Sequence, residues 1–94
     1  MEAVLLREIA NILEKPEKDI ERESLGTFLD ITLKKLLAEQ LVILKKYGVK
    51  NLDEMESFYR EKKLDEKDTF GDFFDLAHIE SEISSVRKAI KKLQ

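Results

Sequence analysis

Apolar residues recur along this chain at intervals of three and four, which is the spacing of an α-helix with one buried face. Leu5, Ile9 and Ile12 show this spacing near the start, and Leu76 and Ile79 show it near the end. No stretch alternates apolar and polar residues over the length of a strand. The pattern therefore predicts an all-α fold, with four helices in a single domain that spans residues 1–94.

Proline and glycine predict the limits of the first two helices. The first is expected from Glu2 to Glu14 and stops before Pro16, because a residue before proline avoids the α conformation. The second is expected from Ser24 to Tyr47, and Gly48 then supplies the left-handed residue of a Schellman motif. The charged segment Glu17–Glu23 is either a loop or an exposed first turn of this second helix.

Capping residues predict two further helices. Asn51, with Glu54 three residues later, forms a capping-box pattern for a short third helix. The charged stretch Glu61–Asp68 follows it. The fourth helix is expected to begin near Thr69, because Thr69 and Asp72 have the spacing of an N-cap residue and its N3 residue.

The second and fourth helices carry the longest apolar patterns. The second helix carries a leucine band that is widened by Val42 and Ile43, which is typical of a helix that is central to a bundle or shared between subunits. The band consists of Leu25, Leu29, Leu33, Leu36, Leu37, Leu41 and Leu44. The fourth helix has a heptad seam, formed by Leu76, Ile79, Ile83, Val86, Ile90 and Leu93. We expect the two helices to form a hairpin that the short third helix closes at one end. Either this seam or the Leu41–Leu44 surface is expected to join two copies in a homodimeric helical bundle.

Composition excludes several classes of function. The chain has no cysteine, which rules out disulfides, zinc–thiolate sites and thiol nucleophiles. Charged residues make up 39% of the chain, yet the net charge is −3, so nucleic acid is not an expected partner. The interleaved Glu and Lys residues resemble the composition of thermophile proteins. The longest apolar run, Leu41–Leu44, is too short to span a bilayer and no secretory signal is visible, so a cytoplasmic location is expected.

Three carboxylates form the best candidate for metal chemistry. Asp72 and Asp75 lie one helical turn apart with Glu80 nearby, and oxygen ligands of this kind suit Mg²⁺. They resemble half of the motif of all-α, MazG-like nucleotide pyrophosphohydrolases, whose activity is the alternative function. A capping and dipole role for acidic residues early in a helix is the competing explanation, and we expect neither a catalytic residue nor a cofactor. The only histidine, His78, has no partner at the spacing of a catalytic triad.

Most of the aromatic residues lie in the short third helix and at the start of the fourth. Phe58, Tyr59, Phe70 and Phe74 are predicted to anchor a protein partner, because aromatic side chains dominate interface hot spots. Core packing of the third helix against the fourth is the competing explanation for the same residues.

The segment from Lys46 to Glu82 resembles part of a family of small, uncharacterised, all-helical archaeal proteins. The resemblance lies in a long helix that ends in Tyr47-Gly48-Val49, a short helix after it, and an Asp-rich turn before the last helix. Some proteins of similar appearance act as antitoxin-like partners of small toxins. The expected function is therefore a homodimeric interaction module that acts as a regulatory or antitoxin-like partner of another, unidentified protein.

Overall fold

The chain forms four α-helices in a computed structural model that describes residues 2–94, and these residues include no strand. The helices are α1 (Ala3–Leu13), α2 (Glu17–Tyr47), α3 (Leu52–Arg60) and α4 (Glu66–Leu93). Within the described residues, no helix combines the length and the apolar content that crossing a membrane requires. The predicted all-α fold with four helices is confirmed.

The long helices α2 and α4 pack against each other as a hairpin, and α3 closes one end of it. The core lies between these three helices and consists of Leu36, Ile43, Val49, Met55, Leu76, Ile79 and Ile83. Met55 of α3 and Leu76 of α4 are the most completely buried side chains. The predicted hairpin with its short third helix is therefore confirmed.

Helix α2 begins at Glu17, earlier than the predicted start at Ser24. Pro16 is its N-cap, with φ of −63°, and Glu17 and Asp19 lie in the first turn. Proline fixes the backbone for the start of a helix, and acidic residues there interact favourably with the helix dipole. The segment Glu17–Glu23 is therefore the exposed beginning of α2 and not a loop.

The end of α2 is the predicted Schellman motif. Gly48 has φ of +65°, and its amide donates to the carbonyl of Lys45 at 3.4 Å. The amide of Val49 donates to the carbonyl of Leu44 at 3.0 Å, and the Val49 side chain is buried in the core. The motif turns the chain towards α3, and its last residue, Val49, covers the end of the core.

The cap of α3 is confirmed and that of α4 is corrected. The Asn51 side chain accepts a hydrogen bond from the Glu54 amide at 2.8 Å. At α4, however, Asp65 is the N-cap and its carboxylate accepts from the Lys67 amide at 3.0 Å. Thr69 lies inside the helix and donates to the Asp65 carbonyl at 2.8 Å, so the prediction that α4 begins near Thr69 was wrong.

The molecule is long and narrow, with extents of 61 × 22 × 18 Å. Its radius of gyration is 19.3 Å, whereas a compact domain of this length has a radius of gyration of about 12 Å. Helix α1 packs against α2 near the open end of the hairpin and buries Leu6 and Ala10. One layer of two long helices therefore leaves much of both helices facing solvent.

Candidate interaction surfaces

The predicted dimer seam lies between α4 and α2 of the same chain. Leu76, Ile79 and Ile83 belong to the core, and Val86 packs against it. Ile90 and Leu93 are half-buried, and a Cβ atom at Gly26 of α2 would lie 3.5 Å from Leu93. As a contact between two copies the seam stays a prediction. In the single chain it holds the hairpin together, and its first three residues have little surface left for a second copy.

Three polar side chains join the end of α2 to the start of α4. Lys46 donates a hydrogen bond to the Asp72 carboxylate at 2.8 Å, and the Tyr47 hydroxyl donates to the same oxygen. These hydrogen bonds, that from Lys46 first, lower the pKa of Asp72. The pKa values of Lys46 and Tyr47 are raised, chiefly by their hydrogen bonds to Asp72. The arrangement fixes the helix pair at its closed end.

The three candidate metal ligands have separate contacts. Asp72 accepts from Lys46 and Tyr47, and Glu80 accepts from the Leu52 amide at the start of α3, at 3.0 Å. Asp75 lies along a groove beside His78. Among residues 2–94, no three acidic or histidine side chains come together in a way that could hold a metal ion. The geometry therefore gives no support to the pyrophosphohydrolase alternative.

His78 is a surface residue of α4. Its side chain is largely exposed, and its Nε2 atom contacts the Glu82 carboxylate one turn further along the helix. A pair at this spacing on an exposed helix surface contributes at most a few tenths of a kcal/mol, roughly 0.2–0.5. The contact is an ordinary surface pair within one helix.

Two of the four predicted aromatic anchors are exposed. Phe70 is 55% exposed and Phe74 is 53% exposed, and their rings meet edge to face with centroids 4.4 Å apart. Phe73 continues the cluster, with its ring centroid 5.8 Å from that of Phe74. Two phenyl rings that contact each other and remain half in solvent form an apolar patch at this end of the hairpin.

The other two anchors, Phe58 and Tyr59, are half-buried and pack against the core. The Tyr59 hydroxyl is hydrogen-bonded to the Thr69 hydroxyl, and the Lys63 ammonium lies 5.1 Å from the centre of the Phe58 ring. Tyr59 also forms one wall of an open pocket of about 420 Å³. The pocket is lined by Glu56, Tyr59, Arg60, Glu66, Phe70 and Phe73.

An exposed stripe on α2 was not recognised in the sequence. We call it the α2 stripe, and it consists of Phe28, Ile31, Lys35, Ala38 and Val42. These residues follow each other at steps of three and four and are all exposed. The leucine band of α2 obscured them, since its members alternate with those of the stripe along the helix. A count of two separate heptad patterns on α2 would have found it.

A groove runs beside the α2 stripe, between α2 and α4. Lys35 of the stripe lines it together with Glu39 of α2 and Glu82 of α4. Further along, Val42 lines a groove with Asp75 and His78. The stripe is thus an apolar row with one lysine at its centre and acidic groups along one side.

No curated protein and no solved structure matches the chain. A match to an uncharacterized family confirms the sequence resemblance at that coarse level, whereas an antitoxin-like role finds no support in the comparison and stays a proposal. The model of the uncharacterized protein MJ0235 family matches residues 1–94, and the chain therefore belongs to that family.

Proposed function

We propose that this protein is a homodimeric interaction module that binds another protein through its aromatic end and thereby regulates or restrains it, as an antitoxin-like partner does. The observation that carries the proposal is the half-exposed pair Phe70 and Phe74 beside an open pocket. Full burial of one such side chain is worth roughly 1.5–3 kcal/mol. Phe70 and Phe74 are about half exposed, so a partner gains about half of this energy at each ring. Both rings already have fixed positions on α4, so the partner gains it without having to order a loop.

The pocket beside this pair indicates the chemistry of the partner. Its walls carry two carboxylates, Glu56 and Glu66, and one guanidinium, Arg60. An apolar side chain of the partner fits between the aromatic rings, and a neighbouring lysine or arginine fits the excess of carboxylates. Charges at such a rim accelerate and orient association more than they strengthen it. The proposed partner is therefore a protein that presents an apolar side chain flanked by a basic one.

Capture from a lysate of the native organism tests the proposal. The immobilised full chain is compared with Phe74→Ala and with the control Ile12→Ala, which alters an exposed apolar side chain of α1 at the other end of the hairpin. We expect one protein to be enriched by the unaltered chain and by Ile12→Ala, and at least tenfold less by Phe74→Ala, since a hot-spot residue contributes about 2 kcal/mol or more.

Two results would contradict the proposal. One is that no protein is enriched above a blank support. The other is that Phe74→Ala captures the same protein as strongly as the unaltered chain. The captured protein is then titrated as a pure component against the same three chains, which shows whether the contact is direct.

A further inference from the structure

The α2 stripe is a second apolar surface, on the flank of the hairpin. Phe28 and Val42, at its two ends, are 64% and 67% exposed, and Ile31 between them is 60% exposed. Their spacing is that of one face of a coiled-coil helix, which normally packs against a facing helix. Within residues 2–94 the fold supplies no helix to cover this face.

The accessible surface of the chain indicates what covers it. The chain exposes 7313 Å², whereas a monomeric protein of 11.0 kDa exposes about 5,600 Å². The excess is on the order of 1,700 Å², which is about twice what a standard interface buries on each partner but lies within the roughly 1,000–2,500 Å² per partner of an obligate homodimer. A helical hairpin that packs on a second hairpin becomes a four-helix bundle with two layers, the usual way to enclose a helical core. One further copy of the chain is enough to account for the excess.

The stripe also has the symmetry that self-association requires. Lys35 lies at its centre, Phe28 and Val42 lie seven positions on either side, and Ile31 and Ala38 lie inside them. A two-fold axis at Lys35 would place Phe28 against the second copy's Val42. The same axis would bring Ile31, four positions before Lys35, to within one residue of the second copy's Ala38, three positions after it, so that a large side chain lies beside a small one. Such reciprocal contacts define an isologous dimer interface.

The charges are self-complementary about the same axis. Lys35 forms no ion pair among the described residues, whereas its neighbour Lys34 pairs with Asp30 of its own helix at 3.0 Å. Glu39 and Glu82 line the groove next to Lys35. Two lysines that meet at the axis would repel each other, but each copy brings two carboxylates beside them. One charged residue in an otherwise apolar heptad stripe fixes the register and the number of helices that associate.

We propose that a second copy of this chain covers the α2 stripe, antiparallel about a two-fold axis at Lys35, and that Lys35 sets the register through Glu39 and Glu82 of the other copy. This inference rests on the homodimeric part of the proposed function and assigns its surface. The charges of α4 are consistent with this arrangement. The antiparallel second copy would bring the acidic early half of its α4, with Asp75, towards the basic late half of the first copy's α4, with Lys92.

Sedimentation of the full chain at micromolar concentration tests the surface. We expect the unaltered chain at twice 11.0 kDa and Val42→Asp and Phe28→Asp at the monomer mass. Both positions are exposed in the single chain, so the helical circular dichroism should be unchanged. Leu41→Asp is the matched control, because Leu41 is also exposed but lies about 100° around the helix from Val42. We expect this variant to remain a dimer.

Charge reversal tests the register. Lys35→Glu places a third carboxylate beside Glu39 and Glu82 in each copy, and we expect it to weaken dimerisation at least tenfold. Adding Glu39→Lys and Glu82→Lys to Lys35→Glu reverses every charge of the set, and we expect the dimer to return. Lys35 and Glu39 also lie one turn apart within one helix, so the triple change would restore contacts within a chain as well. Unchanged helical circular dichroism of Lys35→Glu separates a loss of register from a structural effect, and failure of the rescue rejects the proposed register.

The outcomes distinguish a failure of the proposed dimer surface from a failure of the proposed function. A dimer that withstands Phe28→Asp and Val42→Asp, or that dissociates on Leu41→Asp, rejects the α2 stripe but keeps the homodimer. An unaltered chain that sediments as a monomer rejects both. If that monomer loses capture of another protein on Val42→Asp, the stripe belongs to a different partner and this inference is wrong. Binding through Phe74 is measured independently of all these results.

Discussion

The two ends of the α2–α4 hairpin differ in what lies over them. At the closed end α3 and Val49 cover the helix pair, and Met55 and Leu76 are 0% exposed. At the open end α1 packs along α2, and Leu25 of α2 remains 54% exposed. Both ends have leucines at helical spacing, so the difference comes from the covering element and not from the apolar content of the helices. Helix α3 packs on α4 and adds Met55 to the shared core, whereas α1 packs on α2 and leaves apolar surface at the open end.

Polar contacts follow the same division. At the closed end the Tyr47 hydroxyl and the Lys46 ammonium reach Asp72, and Glu80 caps the start of α3. At the open end the main polar link between the long helices is from Arg22 to the carbonyl of Leu93, at 2.6 Å. The proposed second copy would cover the flank of α2 from Phe28 to Val42 and thereby bury apolar surface that α1 leaves exposed. Three sets of substitutions test this contrast, from the largest expected effect to the smallest.

Leucine-to-alanine substitutions at the two ends should have very different effects. Leu76→Ala leaves a cavity in the core, and we expect it to lower the free energy of unfolding by about 2–5 kcal/mol. Leu25→Ala removes the same atoms from a half-exposed position, and we expect a loss of less than about 1 kcal/mol. Urea unfolding followed by circular dichroism, at one protein concentration for all chains, measures both. Equal losses would mean that the open end is as well packed as the closed end.

Local signals in the sequence predicted local structure well. Gly48 and Asn51 marked their turns because each satisfies backbone groups only a few residues away. Thr69 misled, because Asp65 carries a second capping side chain four residues earlier and the sequence does not show which of the two begins α4. Pro16 was compatible with both a loop and a helix start, and in the structure it is the N-cap of α2.

The surfaces were harder to predict, because they depend on which helices meet. The seam from Leu76 to Leu93 has the same spacing whether it packs on α2 or on a second copy. Phe58 and Phe74 are chemically identical, and only the packing of α3 on α4 makes the first half-buried and the second exposed. The α2 stripe was missed for the same reason, since exposed and buried positions of α2 are both apolar. Periodicity identifies a face but not its partner.

The contact between Tyr47 and Asp72 should make the closed end sensitive to pH. We expect Tyr47→Phe to cost about 1 kcal/mol, the usual value for one hydrogen bond. The pKa of Asp72 is lower in the folded chain than its ordinary value of 3.8. Its contribution is therefore present above that value and is lost as the pH falls through the depressed pKa. The raised pKa of Tyr47 has the opposite effect, so its contribution is present below 10.0 and is lost as the pH rises further.

Urea midpoints measured from pH 7 down to pH 2 test the acid side. We expect the fall in stability to be smaller in Asp72→Asn than in the unaltered chain. Asp30→Asn is the control, because Asp30 forms an exposed pair with Lys34 within one helix, and such pairs contribute little. If Asp30→Asn flattened the profile as much as Asp72→Asn, the contact at the closed end would not be the origin of the acid sensitivity.

Two glycines near the closed end should respond to alanine in opposite directions. At Gly48 φ is +65° and no atom lies within 4 Å of a Cβ, so the cost of Gly48→Ala is the left-handed backbone alone, roughly 1 kcal/mol. Gly71 lies inside α4 with equally open space around it. There alanine is the better helix former, and we expect Gly71→Ala to add about 0.5–1 kcal/mol. Thermal unfolding should therefore move down for the first variant and up for the second. A fall for both would contradict the open space that surrounds Gly71 in the single chain.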